Sequence, residues 1–480
     1  MEIRSRSRQI VIAAIDLGTT YLGYAFSMKH DWGHVFSNAW SCGNFESYKV
    51  RTCLLLKKDF TESSFGYAAE DKYVDLKQEE CQHDYFFFQQ FRTIDDDAEV
   101  MCKDITGNLL KAELVIQHCI VCLKKHLVQK VEGMFKGAIN SGDIEYVLTV
   151  PAIWEDNAIL FMRSAAVNAG IPNEYLTIAL ESEAASTYCQ YLKFAKGDTS
   201  SPTLDVFKSG TKYMVVDLGG DTADITVHQK CDDNTIEEVL PATVGPWGGN
   251  SVDDQFMKFL IESLGKWVYE DFKRKHMKDY VDMKRCFEAK KRSFKAEPGG
   301  VIRMPMPQTI RKKFDKVKTF QEAIDKNEML KCVKFSTGKL IMDNCLFGSF
   351  FKKSIDGIVK HIDEILQAPE AKGVKIIFMV GGFSECLPVQ DSIKQHFGQV
   401  SVIVPENAAL AVLKGSVYLG HIPDAIPRRL QARYTYGFQT WPEFNEKIHP
   451  KEKRIQSGNF SRCRDVFFKI VSKGKKSSRG

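Results

Sequence analysis

A buried strand that runs straight into an acid and a glycine, and does so twice, constrains this chain more than any other feature. From Val11 the sequence reads VIAAIDLGTTYLGYAFSM, and from Tyr213 it reads YMVVDLGGDTADITVHQ. In each, an apolar run ends in Asp-Leu-Gly and hydroxyl-bearing residues, and a second apolar stretch resumes at once. Glycine after a buried strand lets backbone N–H groups approach an anion with no Cβ in the way. Threonine hydroxyls add donors, and an aspartate at the strand end orients water around a divalent cation that bridges phosphates. Two such turns facing one another hold a triphosphate from both sides. A single Asp-Gly turn reads equally well as a plain strand end. Two copies, with a third glycine pair at Gly381 and Gly382, favour a phosphate site.

The 480 residues are enough for two lobes with separate cores. A net charge of +5 is small for this length and argues against a broad nucleic-acid surface. The basic start, Met1 to Arg8, precedes an apolar run that Asp16 ends without a cleavage site, so a first strand is expected rather than a secretory signal. No apolar stretch reaches the ~18 residues that cross a bilayer. A cytoplasmic protein is expected, with the nucleus as an alternative. The thirteen cysteines lack a repeating spacing and read as free thiols. Cys119 and Cys122 have CxxC spacing beside His118 and His126, but inside a helical pattern they read as core residues before they read as a zinc or redox site.

Apolar spacing from Gly107 to Phe135, through Leu110, Leu114, Ile120, Leu123 and Leu127, predicts a helix. IEYVLTVPAIW predicts a strand stopped by Pro151, DNAILFMRSAAVNAG a helix ending at Gly170, and YLTIALESEAASTYCQYL a short strand running into a helix. The polar break from Gly197 to Gly210 divides the halves. Beyond it come VGPWGGNSVDDQFMKFLI, a glycine turn opening a helix, and a charged helical region from Lys266 to Ala296. KIIFMVGGFSE is a strand ending in paired glycines, and PENAALAVLKGSVYLG a helix with small residues suited to close packing.

The order DLGTT, TVPAIW, LESEAAS, DLGGDT, WGGNSVDDQF, VGGFSE resembles the actin-like ATPase superfamily, and most of all its seventy-kilodalton heat-shock family. FGYAAEDKY, FMRSAAVNAG, LAVLKGSVYLGH and ARYTYG are similar to the divergent subgroup called heat shock 70 kDa protein 12. The resemblance covers roughly residues 10 to 440. It implies an α/β fold of two ribonuclease-H-like lobes around a nucleotide cleft that holds ATP or ADP with Mg²⁺. Lobe I would span 8–205 and lobe II 206–400, with a helical adenine-side subdomain at about 255–345. A helix at 401–425 would return to lobe I, and 426–480 would form a short extension.

By the same resemblance, Asp16, Asp217 and Asp224 hold Mg²⁺ mainly through water. Gly18, Thr19, Thr20 and Tyr21 form the first phosphate loop, and Gly219, Gly220, Asp221 and Thr222 the second. Gly248 and Gly249 follow in the third glycine turn. Glu181 positions or activates the attacking water. Glu288, Lys291, Arg292 and Lys295 lie near base and ribose, with Gly381, Gly382 and Phe383 as the adenosine loop.

The chain also departs from the family. Asp221 stands where a third glycine is usual, placing a negative charge beside the phosphates. The family's cleft lysine aligns near Arg92, whose planar fork is not a compact ammonium. Ile159 occupies the place of an interlobe arginine, with Arg163 one turn later, and Phe383-Ser384-Glu385 replaces Ser-Thr-Arg. About sixty residues follow Gly420, too few for a β-sandwich with a helical lid. These features predict a slowly hydrolysing, stress-related switch that recruits a protein partner or co-chaperone, as a monomer without a membrane span or nucleic-acid partner. A pseudo-ATPase scaffold and a metabolite kinase are the alternatives.

Overall fold

The computed structural model describes residues 9–42, 45–91, 93–96, 99–191, 208–232, 235–310, 332–336, 338–422, 429–431, 434–458, 460–472 and 476–478. Two sheets of the same design dominate it. The first contains β1 (Val11–Leu17), β2 (Tyr21–Met28), β3 (Asp31–Ser37), β4 (Ile144–Val150) and β5 (Leu176–Leu180) in the order β5-β4-β1-β2-β3. The second contains β6 (Lys212–Leu218), β7 (Ala223–Lys230), β8 (Ile236–Gly245), β9 (Val374–Val380) and β10 (Ser401–Ile403) in the order β10-β9-β6-β7-β8. In both, the first strand pairs antiparallel with the second and parallel with the fourth. Strands buried on both faces read as unbroken apolar runs, as Val11 to Ile15 and Tyr213 to Val216 do.

Among the helices of the described residues are α1 (Gly66–Gln78), α2 (Ala112–Met134), α3 (Asp156–Asn168), α4 (Glu181–Gln190), α5 (Asn250–Leu264), α6 (Lys266–Lys275), α7 (Met277–Ser293), α8 (Asn344–Leu366) and α9 (Ala411–His421). One core packs α2 and α3 on the first sheet through Leu123, Leu127 and Met162. A second packs α5, α7 and α8 by aromatic contact, with Phe256 and Phe287 stacked at 4.0 Å. A third joins the sheets: Ile12, Ala14 and Ala184 meet Val215, Phe378 and Leu413. Here α9 lies backbone to backbone on α4. A Cβ on Gly415 would fall 1.8 Å from the Ala184 carbonyl oxygen, and one on Gly420 would fall 2.4 Å from Ile12.

In that joint His228 Nδ1 lies 3.0 Å from Ser186 Oγ, which is 2.6 Å from the Tyr213 hydroxyl. Burial pushes the His228 pKa down to about 4. The unfolded chain therefore takes up this proton first. The stability it governs is full above about pH 6.5 and is lost as pH falls toward 4, by about 3 kcal/mol for a shift of this size. Urea unfolding between pH 7 and 4.5 should show that acid limb, and His228→Gln should flatten it. An unchanged limb in the variant would assign it to other groups.

One sequence expectation needs correction. Helix α2 begins at Ala112, and Leu110 belongs to a short strand, Leu109–Lys111. The Asp104 carboxylate accepts from the Thr106 and Asn108 amides at 2.8 Å each, and this turn folds 99–111 into a hairpin instead. The charged region expected to be helical from roughly Lys266 to Ala296 is so, as two helices that His276 (φ −127°, ψ 56°) separates and that end at Ser293.

Cys119 and Cys122 are buried in the α2 cores, and burial pushes both thiols up. Cys122 Sγ lies 3.2 Å from Ser63 Oγ, and His126 Nδ1 lies 2.8 Å from the Tyr24 hydroxyl. Arg92 and most of the 197–210 break lie outside the described residues. Among the described residues no helix is long and apolar enough to cross a membrane.

Candidate functional site

Both Asp-Leu-Gly turns lie where their strands end, and pairing fixes their surroundings. Asp16 pairs with Gly23 across β1 and β2, and Asp217 pairs with Asp224 across β6 and β7. Asp16 is 4% exposed. It accepts from Thr149 Oγ1 at 2.8 Å and from the Lys49 ammonium at 2.5 Å. Lys49 precedes a short strand, Val50–Arg51, that pairs with β2, and its stem crosses bare Gly23. The first turn is pinned by Thr52, whose hydroxyl donates to Gly18 O at 2.6 Å and whose amide donates to Thr20 O at 2.8 Å.

The second turn rests on the N-terminus of α5. The amides of Gly248, Gly249 and Asn250 donate to the carbonyls of Asp221, Gly219 and Gly220. The turns touch: a Cβ on Gly220 would lie 2.3 Å from Thr20, and one on Gly248 2.3 Å from Gly220 O. Side chains complete the contact. Thr20 Oγ1 donates to Asp221 at 3.1 Å, and the Asn250 amide donates to Asp221 at 2.6 Å and to Thr20 at 2.9 Å. Gly381, after β9, adopts φ 85°, and a Cβ there would meet the Asp217 carboxylate at 2.3 Å. Only glycine combines that conformation with that approach.

Four acids and one lysine share this region. Burial, then Asp224, pushes the Asp217 pKa up to about 7, against the pull of Lys49. Burial together with Asp16, Asp217 and Asp224 holds Glu181, the first residue of α4, well above the usual carboxylate range. Burial also raises Asp224, which accepts from the Thr222 hydroxyl at 2.6 Å. For Lys49, burial disfavours the ammonium, but Asp16, Asp217 and Glu181 outweigh it and raise its pKa. Such crowding of acids makes this region the candidate functional site.

A second charged group lies on α7. Glu288 accepts from Arg292 at 2.7 Å and forms an ion pair with Lys291 at 2.7 Å, and Lys291 donates to Asp253 at 2.8 Å and to Gly249 O at 3.2 Å. Burial opposes the Glu288 carboxylate, yet Lys291, Arg292 and Arg51 hold its pKa well below normal. Tyr21 lies between two guanidinium groups, Arg51 at 5.7 Å and Arg292 at 5.4 Å, and Arg292 also covers Phe45 at 5.4 Å. Arg285 on α7 reaches Glu70 and Asp71 on α1 at 2.9 and 2.8 Å.

The structure thus brings together Asp16, Thr20, Glu181, Gly219, Gly220, Asp221, Asp217, Asp224, Gly248, Gly249 and Gly381. Thr19 is exposed, and Lys295 is exposed with its carbonyl bonded to Asn344. Phe383 is 4% exposed in the second core, near-parallel to Phe351 and against Gly249, and Gly382 lies beside Ala409. Glu385 accepts from the Ala409 amide at 3.0 Å. Arg163 donates to Asn173 and Leu176 O, holding the approach to β5. Sequence reasoning missed Lys49, Arg51, Asn250 and Asp253. The polar residue directly after the Trp-Gly-Gly turn was a usable signal for Asn250. Lys49 had none, because only the Tyr21–Arg51 and Asp16–Gly23 pairings carry it to Asp16.

No model of a known protein family matches the chain. Individual proteins do. The chain is 31% identical to human Heat shock 70 kDa protein 12B over 521 residues, covering 96% of this chain and 76% of that protein. It is 31% identical to human Heat shock 70 kDa protein 12A over 526 residues, covering 96% and 77%. Chaperone protein DnaK of Ureaplasma parvum serovar 3 is 23% identical over 333 residues, 68% of this chain and 47% of that protein. The chain belongs to the seventy-kilodalton heat-shock family, and its mixed α/β architecture is accordingly that of the actin-like ATPases. Within that family its similarity runs to the heat shock 70 kDa protein 12 proteins over nearly its whole length.

Proposed function

We propose that the chain binds Mg-ATP in a cleft between two lobes, 8–205 and 206–400, hydrolyses it slowly, and uses the nucleotide state to engage a protein partner. The observation that carries this reading is the meeting of two Asp-Leu-Gly turns with buried Asp16, half-buried Asp217, Asp224 and Glu181, and Lys49. Family membership supports it.

The donor set fits the ligands. Gly18, Gly219 and Gly220 carry no Cβ in the two turns, which suits close approach of backbone N–H groups to phosphates. Among the described residues no three acidic, His or Cys side chains form a direct metal cage. As the family resemblance implies, Asp16, Asp217 and Asp224 would hold Mg²⁺ through water, as this ion often is held. Bound Mg-ATP supplies an electrophilic γ-phosphoryl group. Glu181, which opens α4 among these acids, would accept a proton from water, and Lys49 offsets negative charge beside Asp16. Glu288, Lys291 and Arg292 would line the ribose and base side. A second reading, nucleotide held without turnover, is favoured by the Asp221 carboxylate between the turns.

Mg²⁺-dependent ATP binding and single-turnover hydrolysis separate the two. Glu181→Gln should retain binding and lose about 10²-fold in turnover, whereas Asp217→Ala should lose the Mg²⁺ dependence of binding. Binding with no wild-type turnover would leave the scaffold reading. No detectable binding would sink both.

A further inference from the structure

Thr20 and Asp221 stand at equivalent places in the two turns, each four residues beyond the strand-end acid, Asp16 or Asp217. The repeated sheets bring these equivalents face to face. Asp221 Oδ2 accepts from the Thr20 hydroxyl at 3.1 Å, its Oδ1 accepts from the Asn250 amide at 2.6 Å, and that amide also donates to Thr20 Oγ1 at 2.9 Å. The three side chains thus close a ring of hydrogen bonds across the two halves, with Thr20 only 3% exposed.

We infer that Asp221 is an internal competitor for phosphate. Its carboxylate takes the Thr20 and Asn250 donors at the point where the two glycine turns converge, and a polyphosphate must displace it to use them. The inference rests on the nucleotide reading above. Its physical basis is that a carboxylate and a phosphate oxygen seek the same donors, and that two anions sharing one set repel. The contact also ties the turns to each other, so ligand entry and loosening of this tie are one event. Asp221 acts here as a specificity-determining residue: it selects against ligands whose affinity derives from phosphate, and it leaves a nucleoside without phosphates indifferent.

The test compares wild type with Asp221→Gly, which restores bare backbone, and Asp221→Asn, which keeps the size and removes the charge. Circular dichroism would establish that each is folded. Calorimetry with Mg-ATP, Mg-ADP and adenosine is paired with hydrogen exchange of amides 18–22 and 219–222 in nucleotide-free protein. Asp221→Gly should bind Mg-ATP and Mg-ADP about tenfold or more tightly, Asp221→Asn by a smaller factor, and adenosine equally. Exchange in both turns should be faster in Asp221→Gly. Unchanged or weaker Mg-ATP binding by both variants would overturn the competitor role. If no protein binds nucleotide, the nucleotide reading falls and the competitor role with it, and exchange alone decides whether Asp221 ties the turns together.

Discussion

Lys49→Met is expected to destabilise the protein by about 3–5 kcal/mol at neutral pH, the range for removing one partner of a buried ion pair. The ammonium lies 2.5 Å from Asp16, and Asp217 and Glu181 also act on it. The side chains of Lys49 and Asp16 are 19% and 5% exposed, so water replaces little of the lost interaction. Without the cation, the acids relieve their repulsion by protonation. Lowering the pH therefore shrinks the defect: the variant should lie closer to wild type in urea unfolding at pH 5 than at pH 7.5. Equal stability at pH 7.5 would remove Lys49 from the charge balance. If the chain hydrolyses ATP, turnover should fall about 10²- to 10³-fold, as when a preorganised electrostatic donor is lost. Lys49→Arg should recover stability better than turnover, because a planar fork does not place charge where an ammonium does.

Gly415→Val is expected to be at least as damaging, through geometry alone. Its Cβ would lie 1.8 Å from the Ala184 carbonyl oxygen, a backbone atom that no rotamer change can move. Helices α4 and α9 would have to separate, opening the core that joins the sheets and displacing Glu181 at the start of α4. Ordinary overpacking costs about 1–3 kcal/mol. A backbone clash should exceed that and take about 4 kcal/mol or more from a typical total of about 5–15. The expected observation is insoluble protein or a large drop in urea midpoint. Gly398→Ala, where an added Cβ meets nothing within 4 Å, serves as the control and should change little. A soluble Gly415→Val with a wild-type midpoint would show that α4 and α9 do not need this contact.

Local chemistry made much of this legible. The strands β1, β2, β6 and β7 were readable because apolar runs stop at Asp-Leu-Gly, and α4 because Leu-Glu-Ser-Glu follows a short apolar stretch. Leu110 was misread because helical spacing continues through it, while the Asp104 turn that diverts the chain depends on side-chain bonds. Lys49 was invisible for a different reason: it reaches Asp16 through pairing between distant segments, and no spacing rule encodes that. Phe383 sits in a glycine loop by sequence but packs into the second core, since an aromatic side chain after two glycines can turn either way.

The strand registers carry one last consequence. Two sheets that share the order of five strands invite the picture of a site with rotational symmetry, in which an elongated guest could lie in either direction. Opposite Asp16 stands Gly23, which admits the Lys49 stem, whereas opposite Asp217 stands a second acid, Asp224. One end therefore pairs an acid with a cation, and the other pairs an acid with an acid. That single exchange gives the duplicated scaffold an electrical polarity. On the proposed nucleotide reading, a guest with unlike ends would have one preferred way in.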